Sequence, residues 1–171
     1  MKRLSDIIIS HFALVVLLPF ILLISVVIKV TSKGPILYKG KRVGINGRCF
    51  KIYKFRTMVE DAERMGGPST PDDDPRLTKI GKVLRKYKFD EIPQLLNVLK
   101  GDMSVVGPRP EVLEEVQTYT DEEKKVLLVK PGITDYASIL FNNEGEILKG
   151  SSNPHQTYRE KIRPEKLRLA L

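Results

Sequence analysis

The sequence has a single cysteine, Cys49, so no internal disulfide can form. A lone thiol fits a reducing compartment. With only two histidines beside it, a Cys/His zinc site is also excluded. Any bound metal would have to be held by carboxylates. There is no glycine-rich phosphate loop and no internal repeat, which argues against a P-loop enzyme and against a solenoid. The one long apolar run lacks a small-residue cleavage site; Thr31-Ser32-Lys33-Gly34-Pro35 follows it instead. It does not read as a cleaved signal peptide.

What is present is a chain of 171 residues, enough for one domain with a core, and a surplus of positive charge: 29 Lys and Arg against 21 Asp and Glu, a net +8. Such a surplus suits an anionic partner: nucleic acid, anionic lipid or a phosphorylated substrate. The apolar run covers residues 7–30. About 20 residues suffice to span a bilayer. Pro19 lies in its middle, where a lost amide donor and a clash with the preceding turn predict a kink. Cations flank both ends: Lys2 and Arg3 before, Lys29, Lys33, Lys39, Lys41 and Arg42 after. Because Lys and Arg favour the cytoplasmic side, two topologies stay open. One is a plain single-pass anchor; the other is a helix broken at Pro19 that dips into one leaflet and returns.

Residues 36–57 read as two short strands joined at Asn46-Gly47, with Lys54 and Arg56 on the face of Phe50 and Ile52. These cations are either solvated or poised for phosphate. Residues 60–75 read as a loop. In it Asp72, Asp73 and Asp74 either bind a cation or end in a helix cap, with Asp74 as cap and Pro75 at the first helical position. Leu77, Ile80, Leu84 and Tyr87 recur at helical spacing among lysines and arginines, a basic amphipathic helix fit for an anionic membrane surface or for ordinary packing.

The stretch FDEIPQLLN begins the next helix. Ile92, Leu95, Leu96 and Leu99 form an apolar face, and Asp90, Gln94 and Asn97 share the opposite one. Pro93 is tolerated in a first turn, and Gly101 marks the end. Asp90 at a helix start is either a cap or an anion-handling group beside free N–H donors. Next, Pro108 and Pro110 stiffen the backbone around Arg109, a guanidinium suited to bidentate phosphate contact. Residues 111–129 read as one charged helix. Beyond Asp135 the pattern gives no clear elements.

Taken in order, the apolar segment with its proline, FKIYKFRTM, DPRLTKIGKVLRK, FDEIPQLLNVLKGDMSVVGPRPE and KPGIT resemble the bacterial sugar transferase family, the monotopic phosphoglycosyl transferases. The resemblance covers roughly residues 1–134. It implies a mainly helical α+β protein: a re-entrant helix-break-helix over residues 1–33 kinked at Pro19, and a cytoplasmic catalytic domain over residues 34–171. That domain would carry a short β-hairpin and amphipathic interfacial helices. It implies transfer of a sugar 1-phosphate from a UDP-sugar to polyprenyl (undecaprenyl) phosphate at the cytoplasmic face of a bacterial inner membrane. Magnesium is the implied cofactor, with Asp90 among its ligands. Asp90 is the implied nucleophile and Glu91 its dyad partner. Lys54, Arg85 and Arg109 are the implied phosphate-binding cations. Membrane lipid is an expected partner, nucleic acid is not, and a homo-oligomer stays open.

Two departures stand out. Leu18-Pro19 replaces a frequent Ser-Pro at the break, and DYASILFNNEGEIL replaces a Gln-Val-Asn-Gly-Arg-like run, so donor-sugar contacts there are unassigned. The chain also ends earlier than the family pattern leads one to expect. The rival reading is a non-enzymatic, membrane-anchored basic module binding anionic lipid or nucleic acid. It accounts for the charge and the anchor but not for Asp90, Glu91 and Arg109 together, and stacking aromatics do not stand out. A membrane-bound hydrolase using the same aspartate is a third option.

Overall fold

The computed structural model describes residues 1–171. Helix α1, Lys2–Thr31, is the longest element. At 1.5 Å per residue it is about 45 Å long. It is the one helix long and apolar enough to cross a membrane. Pro19 lies inside it with helical backbone on both sides, so the expected helix-break-helix is a continuous helix here. A proline costs a helix one amide donor and one close contact, and membrane helices accommodate both.

Most of α1 presents bare apolar side chains, including Ile8, Phe12, Val15, Val16, Leu22, Leu23 and Val26. One stripe does not. Arg3 donates to the carbonyls of Val98 and Leu99 at 2.5 and 2.8 Å. Asp6, buried, accepts from Ser104 Oγ at 2.9 Å and from the Val105 amide at 3.0 Å. At the far end, Ile24 and Ile28 pack with Phe55 and Leu84. Arg56 Nη2 then donates to the Ser32 carbonyl at 2.9 Å and to its hydroxyl at 2.7 Å. Both ends of the helix are therefore fastened to the same small domain.

In that domain, strands β1 (Leu37–Val43) and β2 (Cys49–Phe55) pair antiparallel from Leu37↔Phe55 to Val43↔Cys49. The expected turn is present, with Asn46 at φ 55° and Gly47 at φ 75°. After short helix α2 (Ala62–Met65) comes α3 (Lys79–Lys86). Its cap is Thr78, whose hydroxyl accepts from the Gly81 amide at 2.9 Å, and not Asp74. Asp74 is instead buried in an ion pair with Arg76 at 2.7 Å, which holds it away from a capping role. Leu84 is buried and Ile80 partly so, but Tyr87 is exposed together with Val83.

Helix α4 spans Gln94–Lys100, preceded by a 3-10 turn over Phe89–Glu91, and ends at Gly101 with φ 93°. Its faces are reversed relative to the sequence pattern. Asp90, Gln94 and Asn97 are buried, whereas Leu96 is exposed and Ile92, Leu95 and Leu99 are half-buried. The reason is Asn97. Its carbonyl oxygen accepts from the Tyr53 amide at 2.9 Å and its amide donates to the Lys51 carbonyl at 2.7 Å, which locks the polar face onto β2.

Strands β3 (Ser104–Val106) and β4 (Gly132–Thr134) pair in parallel. The single helix expected over 111–129 is divided into α5 (Leu113–Val116) and a 3-10 segment, Glu123–Leu128. Thr120 and Glu123 exchange side-chain and backbone hydrogen bonds at 2.7 and 3.2 Å, a capping box that starts a new helical segment. The C-terminal part is α6 (Tyr136–Leu140), α7 (Glu144–Ile147) and a helical run in which α8 (Pro154–Thr157) and α9 (Arg163–Ala170) are joined by a π-helical segment, Tyr158–Ile162. Buried Glu115 ties the run from α8 to α9 to α5 through Arg159 at 2.6 Å, Arg163 at 3.0 Å and His155 at 3.0 Å.

Asp6→Ala leaves the Ser104 hydroxyl and the Val105 amide without their acceptor, an expected loss of ~1–3 kcal/mol. Leu4→Ala, on an exposed site of the same helix, is expected to change little. Thermal melting of both variants in detergent tests this; equal midpoints would mean that Asp6 fastens nothing.

Candidate active site

The site forms where three elements meet. β2 supplies Lys54, the 3-10 turn supplies Asp90 and Glu91, and the segment between two prolines supplies Arg109. Lys54 Nζ lies 2.8 Å from Glu91 Oε1. Arg109 Nη2 lies 2.6 Å from the same oxygen, and its Nη1 is 3.3 Å from Oε2. Both Glu91 oxygens are thus engaged by cations. Asp90 is also buried, but its Oδ1 has no hydrogen-bond partner. Arg85, on the last turn of α3, makes no such contact; it lies in electrostatic reach of Asp90 and Asp74.

The two neighbouring carboxylates are driven apart in acidity. Burial raises Asp90, and Lys54 opposes this only in part. Burial also acts to raise Glu91, but Arg109 and Lys54 outweigh it and hold the carboxyl well below its usual range. Burial pushes the Lys54 ammonium down, with Glu91 opposing. Glu91, first in order of effect, raises Arg109. So Glu91 is a fixed anion that positions two cations, and Asp90 is the carboxylate with an oxygen to spare. Pairs of acids separated in this way mark division of labour.

All five residues singled out in the sequence therefore lie in one region, Lys54, Glu91 and Arg109 joined by ion pairs and Asp90 and Arg85 beside them. The sequence pattern missed two neighbours, Lys88 and Glu144. Lys88 has a left-handed backbone, φ 58°, and faces Asp90, Glu91, Arg109 and Glu144. No residue pattern announces a lysine with positive φ. Glu144, paired with Lys166, comes from the part of the chain with no legible periodicity. Beside Arg109 a small cleft of about 30 Å³ is lined by Glu111, Asp135, Ser138, Tyr158 and Lys166 among others. There Tyr158 donates to Glu111 at 2.5 Å.

No group of three or more His, Cys, Asp or Glu side chains could enclose a metal ion. With Glu91 occupied, the pair of neighbouring acids offers one free carboxylate, Asp90. That donor set fits magnesium, which is commonly held by one or two carboxylates plus substrate phosphates and water.

A model of the bacterial sugar transferase family matches residues 1–163. The chain belongs to this family. The match runs past Thr134 into the C-terminal helices, whose sequence departs from the family's usual run. The chain is 41% identical over 146 residues to the UDP-N-acetylgalactosamine-undecaprenyl-phosphate N-acetylgalactosaminephosphotransferase of Aeromonas hydrophila, covering 81% of this chain and 34% of that protein. It is 42% identical over 143 residues to the UDP-glucose:undecaprenyl-phosphate glucose-1-phosphate transferase of Klebsiella pneumoniae, covering 81% of this chain and 30% of that one. It is 39% identical over 158 residues to the exopolysaccharide production protein ExoY of Sinorhizobium fredii, covering 84% and 70% respectively. The chain thus spans about a third of the first two relatives and a larger share of the third.

Glu91→Gln removes the counter-charge of Lys54 and Arg109, an expected loss of about 3 kcal/mol at pH 7. Because the folded pKa of Glu91 is depressed, its stabilisation is complete above the unfolded value of about 4.3. It fades as pH falls through the lower, folded value. Melting curves of wild type and variant are expected to converge on acidification; a gap that stays constant down to pH 3, or no gap at pH 7, contradicts this account.

Proposed function

We propose that this protein transfers a sugar 1-phosphate from a UDP-sugar to a polyprenyl phosphate, such as undecaprenyl phosphate, with Asp90 as covalent nucleophile. The observation that carries the reading is the buried Asp90 with an unpartnered Oδ1 beside the ion-paired Glu91, Lys54 and Arg109. The names of the relatives point the same way.

A carboxylate oxygen of Asp90 attacks the phosphorus that bears the sugar. The new O–P bond forms as the bond to the bridging oxygen breaks, and UMP leaves with the electron pair. An oxygen of the polyprenyl phosphate then attacks the same phosphorus, and the bond to Asp90 breaks. The carboxylate is regenerated and the diphosphate-linked lipid is the product. Carboxylate nucleophiles split one hard displacement into two easier ones. Lys54, Arg85 and Arg109 meet the negative oxygens, with Glu91 holding Lys54 and Arg109 in place. Asp90 would hold magnesium together with the donor's phosphates; when bound, the ion neutralises charge on the diphosphate. Burial matters here because charge interactions strengthen where water is excluded.

An acceptor embedded in lipid requires the site to lie at the membrane boundary. In this reading α1 enters and leaves the cytoplasmic leaflet of the inner membrane from the same side. The support is mechanical. Arg3 and Asp6 at one end and Ser32 at the other bond to the same domain, which favours both ends lying on one side of the bilayer. Exposed Val83, Tyr87 and Leu96 on α3 and α4 extend the apolar surface, amid lysines suited to anionic headgroups.

With magnesium and either UDP-glucose or UDP-N-acetylgalactosamine as probe, the detergent-purified protein is expected to release about one equivalent of UMP without lipid. It should retain a phosphosugar adduct that polyprenyl phosphate discharges. Asp90→Asn is expected to form no adduct; turnover at the wild-type rate would rule Asp90 out as nucleophile.

Topology is tested separately. In a Cys49→Ser background, single cysteines at Lys2 and Lys33 are expected to be labelled from the same side of sealed vesicles. Labelling from opposite sides would establish a spanning helix.

A further inference from the structure

Gln94 is 1% exposed, and its amide Nε2 has no hydrogen-bond partner. A buried donor left unmade costs stability, and such groups are rare enough to require a reason. One helical turn earlier, on the same buried face, Asp90 Oδ1 is a buried acceptor with no partner either. Donor and acceptor are close in the chain, both are buried, and they do not satisfy each other. The third polar residue on this face, Asn97, is fully engaged with Tyr53 and Lys51. The unmet hydrogen-bonding capacity is therefore confined to the end of the face that holds Asp90. What fits there is a group that bonds to Asp90 and brings further acceptor oxygens with it.

We propose that Gln94 is a catalytic residue whose Nε2 donates to a non-bridging oxygen of the phosphoryl group while that group is attached to Asp90. This rests on the reading of Asp90 as nucleophile. A tetrahedral phosphoryl group on the carboxylate supplies what the resting site lacks: a covalent partner for Asp90 and an acceptor for the Gln94 amide. A neutral donor is apt at this point. Lys54 and Arg109, positioned by Glu91, already bring positive charge to this site, and a neutral donor adds a directed hydrogen bond without adding a further charge. An amide stabilises developing negative charge on the phosphoryl oxygens without competing for the attacking atom. The donor is pre-positioned at a cost to the empty protein, and the bond it makes is realised only during reaction.

The test separates this role from a packing role, because the two predict opposite changes in stability. Gln94→Met keeps volume and an unbranched chain while removing the orphan donor. Its melting midpoint in detergent is expected to equal or exceed that of wild type. The single-turnover rate of adduct formation with magnesium and UDP-glucose or UDP-N-acetylgalactosamine is expected to fall roughly 100-fold. The donor concentration giving half-maximal rate should change far less. Gln94→Glu places a second carboxylate by Asp90 and should lose the adduct rate as well. A wild-type adduct rate in either variant overturns the proposal. So does a Gln94→Met protein whose melting midpoint falls in step with its rate, which would make Gln94 a packing residue. A wild-type protein that forms no adduct with either donor or with other UDP-sugars would instead sink the transferase reading, whatever the melting results.

Discussion

The site is organised by the paired cations on Glu91. One carboxylate draws together a strand, a tight turn and a proline-braced loop that are far apart in the chain: Lys54, Glu91 and Arg109. Charges of this kind are costly to bury singly and tolerable only as a satisfied set. Once the set is formed, the backbone around it has little freedom. Lys88 is held with positive φ, its carbonyl accepts the Glu91 amide at 3.2 Å, and the Asp90 side chain is left without a partner. Glu91, not Asp90, holds the ion pairs to Lys54 and Arg109, and Asp90 Oδ1 is left without a partner.

What the sequence disclosed depended on whether a feature was local. The hairpin turn at Asn46-Gly47 and the stop at Gly101 were legible because positive φ selects those residue types. The site residues were legible as motif members, and Asp90, Gln94 and Asn97 as one polar face. The direction of that face was not. Apolar periodicity says which residues share a side of a helix, and burial of the leucine side is the usual inference. In α4 the polar side is buried because Asn97 completes hydrogen bonds to β2, while the leucines lie toward α1 and the outer surface. The usual rule is inverted here because the polar side is the one with hydrogen-bond partners inside the fold.

The C-terminal third was illegible for a related reason. Helices α6 and α7 are short, and the run from α8 to α9 is held by Glu115, whose three partners come from residues 155 to 163. No spacing rule links a glutamate to cations about 40 positions away. The same holds for Asp74, which sequence logic makes a helix cap and which the fold uses to bind Arg76. Charged residues in this protein mostly work through partners remote in sequence or through the backbone two residues on, and composition reveals only their excess.

Helix α1 is commonly thought of as something a domain hangs from. Here it is part of the wall. Ile24 and Ile28 complete the cluster around Phe55 and Leu84, Arg3 covers the last carbonyls of α4, and Asp6 supplies the acceptor for the start of β3. Cutting the chain after the apolar run would not release a water-soluble enzyme. It would uncover a hydrophobic seam and strand polar groups on α4 and β3. Solubility and an intact site are, in this protein, opposed requirements.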